Sequence, residues 1–323
     1  MNFKKVVVFL LGIAISIASL YLIFSKIDVV SSLKALSKVP FYIPIVLMAI
    51  YLLVFVIRAF RWQLMLLEVQ NIPFKSLLNA IIIGYGGNNF LPVRGGELLR
   101  MEFFSRQSKV PRTISITSVL TEKILDGLSL LLLLIGIVWI FPSNLFDVDW
   151  FVKLFYLANI VFIGILFGLI IFKISGNFFI NLFQKQGGAF LKISHILQDV
   201  LHALSFIKLN LRGIIILSSG ILVWLVEGGM FVMASAVLVP EVNPFLLGYF
   251  TLVIVNFGIL VPSSPGYVGL FQAMTVLAFT VFTLSEETAL TASILVHLCQ
   301  FIPISLWAIY ILLKSSLKFK FFS

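Results

Sequence analysis

Apolar residues run along this chain in long blocks, and the blocks are of two kinds. Six are uninterrupted, at 6–24, 41–66, 113–141, 151–172, 213–239 and 288–313. A helix rises about 1.5 Å per residue, so about 20 apolar residues match a hydrocarbon core of ~30 Å. Each of the six is expected to be a full transmembrane helix. The first follows the basic start MNFKK and has some look of a cleaved leader. It is longer than a leader's apolar region and no small-x-small cleavage site leads into a soluble domain, so it is taken as a span. The other two blocks are broken. Residues 74–106 carry Gly86, Gly87, Pro92, Gly95 and Gly96, and residues 245–284 are interrupted at 261–269, VPSSPGYVG. Glycine and proline end helices, and an arm such as 76–90 reaches only about 22 Å. Each broken block is therefore predicted to be a re-entrant helical hairpin. Between 173 and 212 the pattern changes again. Phe190, Ile193, Leu197, Leu201 and Leu204 recur at helical spacing opposite Lys192, His195, Gln198, Asp199 and His202, which predicts an amphipathic helix at the membrane surface.

Charge sets the sidedness. The 323 residues are 61% hydrophobic and 11% charged, which excludes an ordinary soluble domain. The net charge of +10 comes from basic residues in the short connections between blocks. That is the positive-inside pattern, and it argues against nucleic-acid binding. Both termini are expected in the cytoplasm, with 142–150 and 240–244 outside, although Lys26, Lys34 and Lys38 then fall outside as well. The second hairpin has no charged residue between 245 and 284, which suits a buried tip. In this frame, 41–141 reads span, hairpin, span, and 213–313 repeats that order with opposite topology. The expected fold is an all-α polytopic membrane protein of one domain, 1–323. It has six full spans and two oppositely oriented hairpins in an inverted repeat, joined by the linker at 173–212. Such repeats place a site near the midplane, where broken helices meet. Cys299 is the single cysteine and cannot form an internal disulfide.

Ionisable residues inside apolar blocks are costly and mark candidate sites. Arg94, Glu97 and Arg100 recur at three-residue steps after the first break, predicting one row on a helix face. Glu122 and Asp126 are four apart on the third span, and Glu227 lies in the fifth. Asn88, Asn89 and Pro92 precede the row. Asn256, Pro262, Pro265, Gly266, Gly269 and Gln272 hold the matching places around the second break. Arginine forks suit phosphate, and the carboxylates suit a cationic group, a proton or the arginines themselves. Three functions compete: a lipid translocator, a membrane-embedded transferase or hydrolase, and a small-ion or solute transporter. His195, His202 and His297 are the only histidines and form no pattern with a carboxylate or nucleophile, so an enzyme is disfavoured and no cofactor or metal is expected.

The stretches 88–97 (NNFLPVRGGE) with Arg100, 122–126 (EKILD) and 262–269 (PSSPGYVG) resemble the lysylphosphatidylglycerol synthase transmembrane-region family of flippase-like proteins. The resemblance covers nearly the whole chain. It implies a multi-pass protein of a bacterial or archaeal cytoplasmic membrane, of a family whose bifunctional members use this region to move aminoacylated lipids between leaflets. Its expected partners are membrane lipids, whether anionic, aminoacylated or sugar-linked, and copies of itself. Family members often have Arg at the position of Lys123 and Glu at that of Gln272. The soluble acyl-transfer domain of bifunctional members has no counterpart in these residues, so lipid aminoacylation is not expected.

Overall fold

The computed structural model describes residues 29–67, 69–91, 94–140, 149–186, 188–205, 210–260 and 264–315. These residues are helical, with no strand among them. The first expected span, 6–24, lies outside them, as do Pro92 and Pro262. A short helix α1 (Val29–Leu36) precedes α2 (Tyr42–Leu66). Then come α3 (Phe74–Phe90), α4 (Gly95–Ser108), α5 (Arg112–Ile140), α6 (Asp149–Gln186) and α7 (Gly188–Ser205). The chain continues with α8 (Leu211–Leu238), α9 (Pro244–Gly258), a 3-10 turn (Pro265–Tyr267), α10 (Leu270–Thr280) and α11 (Glu286–Lys314). Tyr42–Leu66, Arg112–Ile140, Phe155–Gln186, Leu211–Leu238 and Glu286–Lys314 are long and apolar enough to cross a membrane. The protein is an all-helical, multi-pass membrane protein.

The short helices lie where the two broken blocks predicted them. At 17, 14, 15 and 11 residues, α3, α4, α9 and α10 are about 26, 21, 23 and 17 Å long, all short of a full crossing. They fold back in pairs. In the first pair Gly84 lies against Arg100, Gly87 against Gly96 and Leu91 against Gly95, an antiparallel register set by small residues. Its closest crossing is at Gly96, where a Cβ would sit 2.0 Å from Gly84 O, so no larger residue fits without parting the helices. In the second pair, Gly258 packs on Met274.

Each pair has its own apolar cluster. Leu77, Ile81, Phe103 and Phe104 pack with Phe55, Trp62 and Ile304 around the first. Phe250, Val253, Val255 and Phe271 pack with Phe231, Val296 and Cys299 around the second. The long helix α6 is peripheral. The sequence pattern ended its span at Phe172, but the helix continues to Gln186, because Ile174, Phe178 and Leu182 prolong the apolar stripe. The amphipathic helix α7 folds back along it: Phe183 stacks on Phe190 at 5.7 Å between ring centres, and Gly176 meets Leu201.

Candidate functional site

Between the two apolar clusters lies a set of charges contributed by four helices. From α2 come Arg58 and Arg61, from α4 Glu97 and Arg100, from α5 Glu122, Lys123 and Asp126, and from α8 Glu227. Arg58 Nη1 donates to Asp126 Oδ2 at 2.6 Å, and Arg61 Nη2 donates to Asp126 Oδ1 at 2.7 Å. A second contact of Arg58, from Nη2, reaches Glu227 Oε2 at 3.4 Å. Arg100 holds Glu122 bidentately, at 2.9 and 2.6 Å. Lys123 Nζ binds Glu97 Oε1 at 2.6 Å. Four cations thus meet four carboxylates, and every pair among them closer than 3.5 Å joins two different helices. Aromatic faces complete the packing: the Arg100 guanidinium lies 4.1 Å from the Trp62 ring centre, and that of Arg58 lies 5.3 and 5.4 Å from Tyr85 and Trp224. Trp224 also donates its indole N–H to Asp126 O at 2.9 Å, tying α8 to α5. Buried charge persists in a low dielectric only when matched in this way.

Arg94 stands apart. It forms no ion pair among the described residues, and its Nη2 donates to the carbonyl of Ile259, the residue that ends α9, at 2.9 Å. Its backbone is left-handed, at φ 54° and ψ 35°, where it precedes α4. A non-glycine residue pays about 1–2 kcal/mol for that conformation. The effect is to turn Arg94 out of the face that Glu97 and Arg100 share and toward the second break. The predicted row therefore divides: Glu97 and Arg100 face α5, and Arg94 bridges the two helix pairs.

The breaks themselves meet. Gly266, at φ 67°, has room for no side chain, because a Cβ would lie 2.7 Å from Phe301 and 3.4 Å from Asn89 O. Asn89 Nδ2 donates to Ser305 Oγ at 2.8 Å, and Asn88 Oδ1 is buried with no hydrogen-bond partner among the described residues. On the other side, Gln272 Oε1 accepts from Gly269 N at 2.8 Å while its amide nitrogen lies 3.0 Å from His297 Nδ1. His297 Nε2 is 2.8 Å from Gly266 O. A carbonyl only accepts, so Nε2 carries the proton and Nδ1 accepts from Gln272. This chain fixes the second break to α11.

A cavity of about 250 Å³ opens at this junction. Of the residues singled out in the sequence, Asn88, Asn89, Arg94, Glu97, Asp126, Glu227 and Asn256 line it. Arg100 and Glu122 lie behind its wall, Gln272 and Gly269 act through His297, and Pro265 and Gly266 form the adjacent turn. Arg58, Lys123, Tyr51, Tyr85, Tyr267 and His297 line it too, although the sequence pattern marks none of them as a site residue. A signal was available for Arg58 and Arg61. Three residues apart in an apolar block, they read as an interfacial end, yet both are buried, at 1% and 0% exposure.

A family model of the lysylphosphatidylglycerol synthase transmembrane region matches residues 9–308. The chain belongs to this family. No curated protein matches it. The transmembrane-region match takes in every residue that lines the cavity, and the three motifs that carried the resemblance fall at the two breaks and on α5.

Proposed function

We propose that this protein moves an anionic phospholipid, or a lipid-linked anionic headgroup, between leaflets, with the cavity as the headgroup's polar way station. The observation that carries the reading is Arg94: the charges around it cancel pairwise, and it alone among the cavity's cations brings a positive charge with no carboxylate. An anion at the junction would supply the missing partner, assisted by the N–H groups that begin α4. The cavity volume supports a headgroup rather than a whole lipid. Sites that enclose drug-sized ligands have ~300–1,000 Å³, and this one has about 250 Å³. Exposed apolar residues beside the junction, Leu260 on the cavity and Phe90 at the end of α3, give acyl chains a route that stays in lipid.

In this reading the paired short helices are re-entrant hairpins entering from opposite faces, the segments 41–141 and 213–313 form an inverted repeat, and both termini are cytoplasmic. The protein works in a cytoplasmic membrane on lipid that it does not modify. The test is transbilayer movement of fluorescent phosphatidylglycerol in vesicles containing the purified protein, with uptake of a soluble organic phosphate measured alongside. The wild type is expected to speed lipid movement and Arg94→Ala to reduce it at least about tenfold, the worth of one lost charge-assisted contact. Uptake of the soluble anion without lipid movement would replace this reading with a solute transporter.

A further inference from the structure

The four carboxylates of the charge cluster are unequally held. Glu122 takes two short bonds from one guanidinium, Asp126 takes one from each of two, and Glu97 takes a 2.6 Å contact from Lys123. Among the described residues Glu227 has a single ion-pair partner, Arg58 Nη2 at 3.4 Å, and it is 8% exposed on the cavity wall. It is the carboxylate whose negative charge is least compensated. Arg58, in turn, has a second anchor: its other terminal nitrogen holds Asp126 at 2.6 Å, and Tyr85 and Trp224 flank it. Releasing Glu227 would leave that guanidinium in place with Nη2 free toward the cavity.

We propose that Glu227 is a proton site coupled to anion binding, so that the anionic group entering beside Arg94 is accompanied by one proton. The inference rests on the function proposed above and adds its coupling ion. An arriving phosphate ester adds negative charge to a small space of low dielectric. A proton on Glu227 removes one negative charge from the same wall and hands Arg58 Nη2 to the phosphate. The other groups facing Glu227 do not substitute for it. From α2 these are Arg58 and Tyr51, and from α5 Asp126 and Lys123, the first doubly bonded and the second paired with Glu97. From α3 and the 3-10 turn come Tyr85 and Tyr267, and from α11 His297, whose ring nitrogens are both engaged. The segment α9 presents Asn256 and no charged residue. Because linkage is reciprocal, protonation strengthens anion binding as much as the anion strengthens protonation.

The experiment is binding of phosphatidylglycerol, and separately of glycerophosphoglycerol, the same phosphate diester without acyl chains, to the full chain in neutral detergent. Calorimetry in two buffers of different ionisation enthalpy counts protons taken up. The wild type is expected to take up about one proton per anion above the titration of Glu227, with affinity falling about tenfold per pH unit there. Glu227→Gln mimics the protonated acid and is expected to bind with affinity that no longer depends on pH, taking up no proton. Glu227→Asp, checked for folding in the same detergent, keeps a titrating carboxylate and is expected to retain the uptake. Wild-type binding without proton uptake between pH 5 and pH 9 overturns the proposal, whether or not the variants fold. So does Glu227→Gln with undiminished uptake. Proton-linked binding of glycerophosphoglycerol alone would uphold the coupling and overturn the lipid reading; binding of neither anion would overturn both.

Discussion

Arg94 and Arg100 are six residues apart on one helical row in the sequence, and they have opposite surroundings. Arg100 is fully buried, bidentate to Glu122 and stacked on Trp62, away from the cavity. Removing one partner of such a pair strands the other charge, typically at ~3–5 kcal/mol. Arg100→Ala is therefore expected to lower the thermal midpoint and the yield of folded protein, as read by unfolding in detergent. The double change Arg100→Met with Glu122→Leu removes both charges and is expected to recover most of the loss. Arg94→Ala should leave the midpoint within about a degree or two of wild type, since it breaks one hydrogen bond to a carbonyl worth about 1 kcal/mol. Similar transport defects from Arg94→Ala and Arg100→Ala at equal stability would contradict this division. The sequence could mark both residues, because charge in an apolar block is visible. It could not separate them, because the separation depends on the left-handed backbone at Arg94, which helical spacing does not encode.

At the scale of elements, the breaks were legible because glycine and proline announce them. The arms 74–90 and 95–108, and 244–258 and 270–280, lie close to where the pattern put them. What the pattern did not give was the end of α6, since an apolar stripe interrupted by Lys173 and Lys185 is equally a long helix or a span with a polar tail. Nor did it show how tightly the first pair crosses. Gly96→Ala is expected to force α3 and α4 apart and to abolish folded yield or transport. Gly136→Ala, in α5 where a Cβ meets nothing within 4 Å, should be silent in both assays. Equal tolerance of the two alanines would mean that the close approach at Gly96 is not required.

For the whole molecule, the order of elements and the contact between the breaks carry more than any local pattern. Gly266 beside Asn89, and Arg94 bound to Ile259, join segments some 165 to 177 positions apart in the chain. Orientation in the membrane is a matter of loop charge, and it has its own test. In a Cys299→Ser background, cysteines at Asn144 and Lys185 are expected to react with an impermeant thiol reagent from opposite sides, Asn144 from outside. Labelling of both from one side would remove the inverted topology. The charge cluster itself was half legible. The acidic members stand out in the sequence, but which base each one meets depends on how α2, α4, α5 and α8 are arranged around the junction.

The pairing of those charges across helices has a historical consequence. A lineage that loses one member of a pair passes through a descendant carrying a stranded charge, which is less stable than either the ancestor or the doubly neutral form. Single substitutions at Arg100, Glu122 or Asp126 are thus steps downhill in fitness even where the lipid never touches those residues. Arg94, with no carboxylate to abandon, is free of that trap. On the function proposed above, Arg94 would be the position where a change of cargo can be written by one substitution at the cost of one hydrogen bond to Ile259.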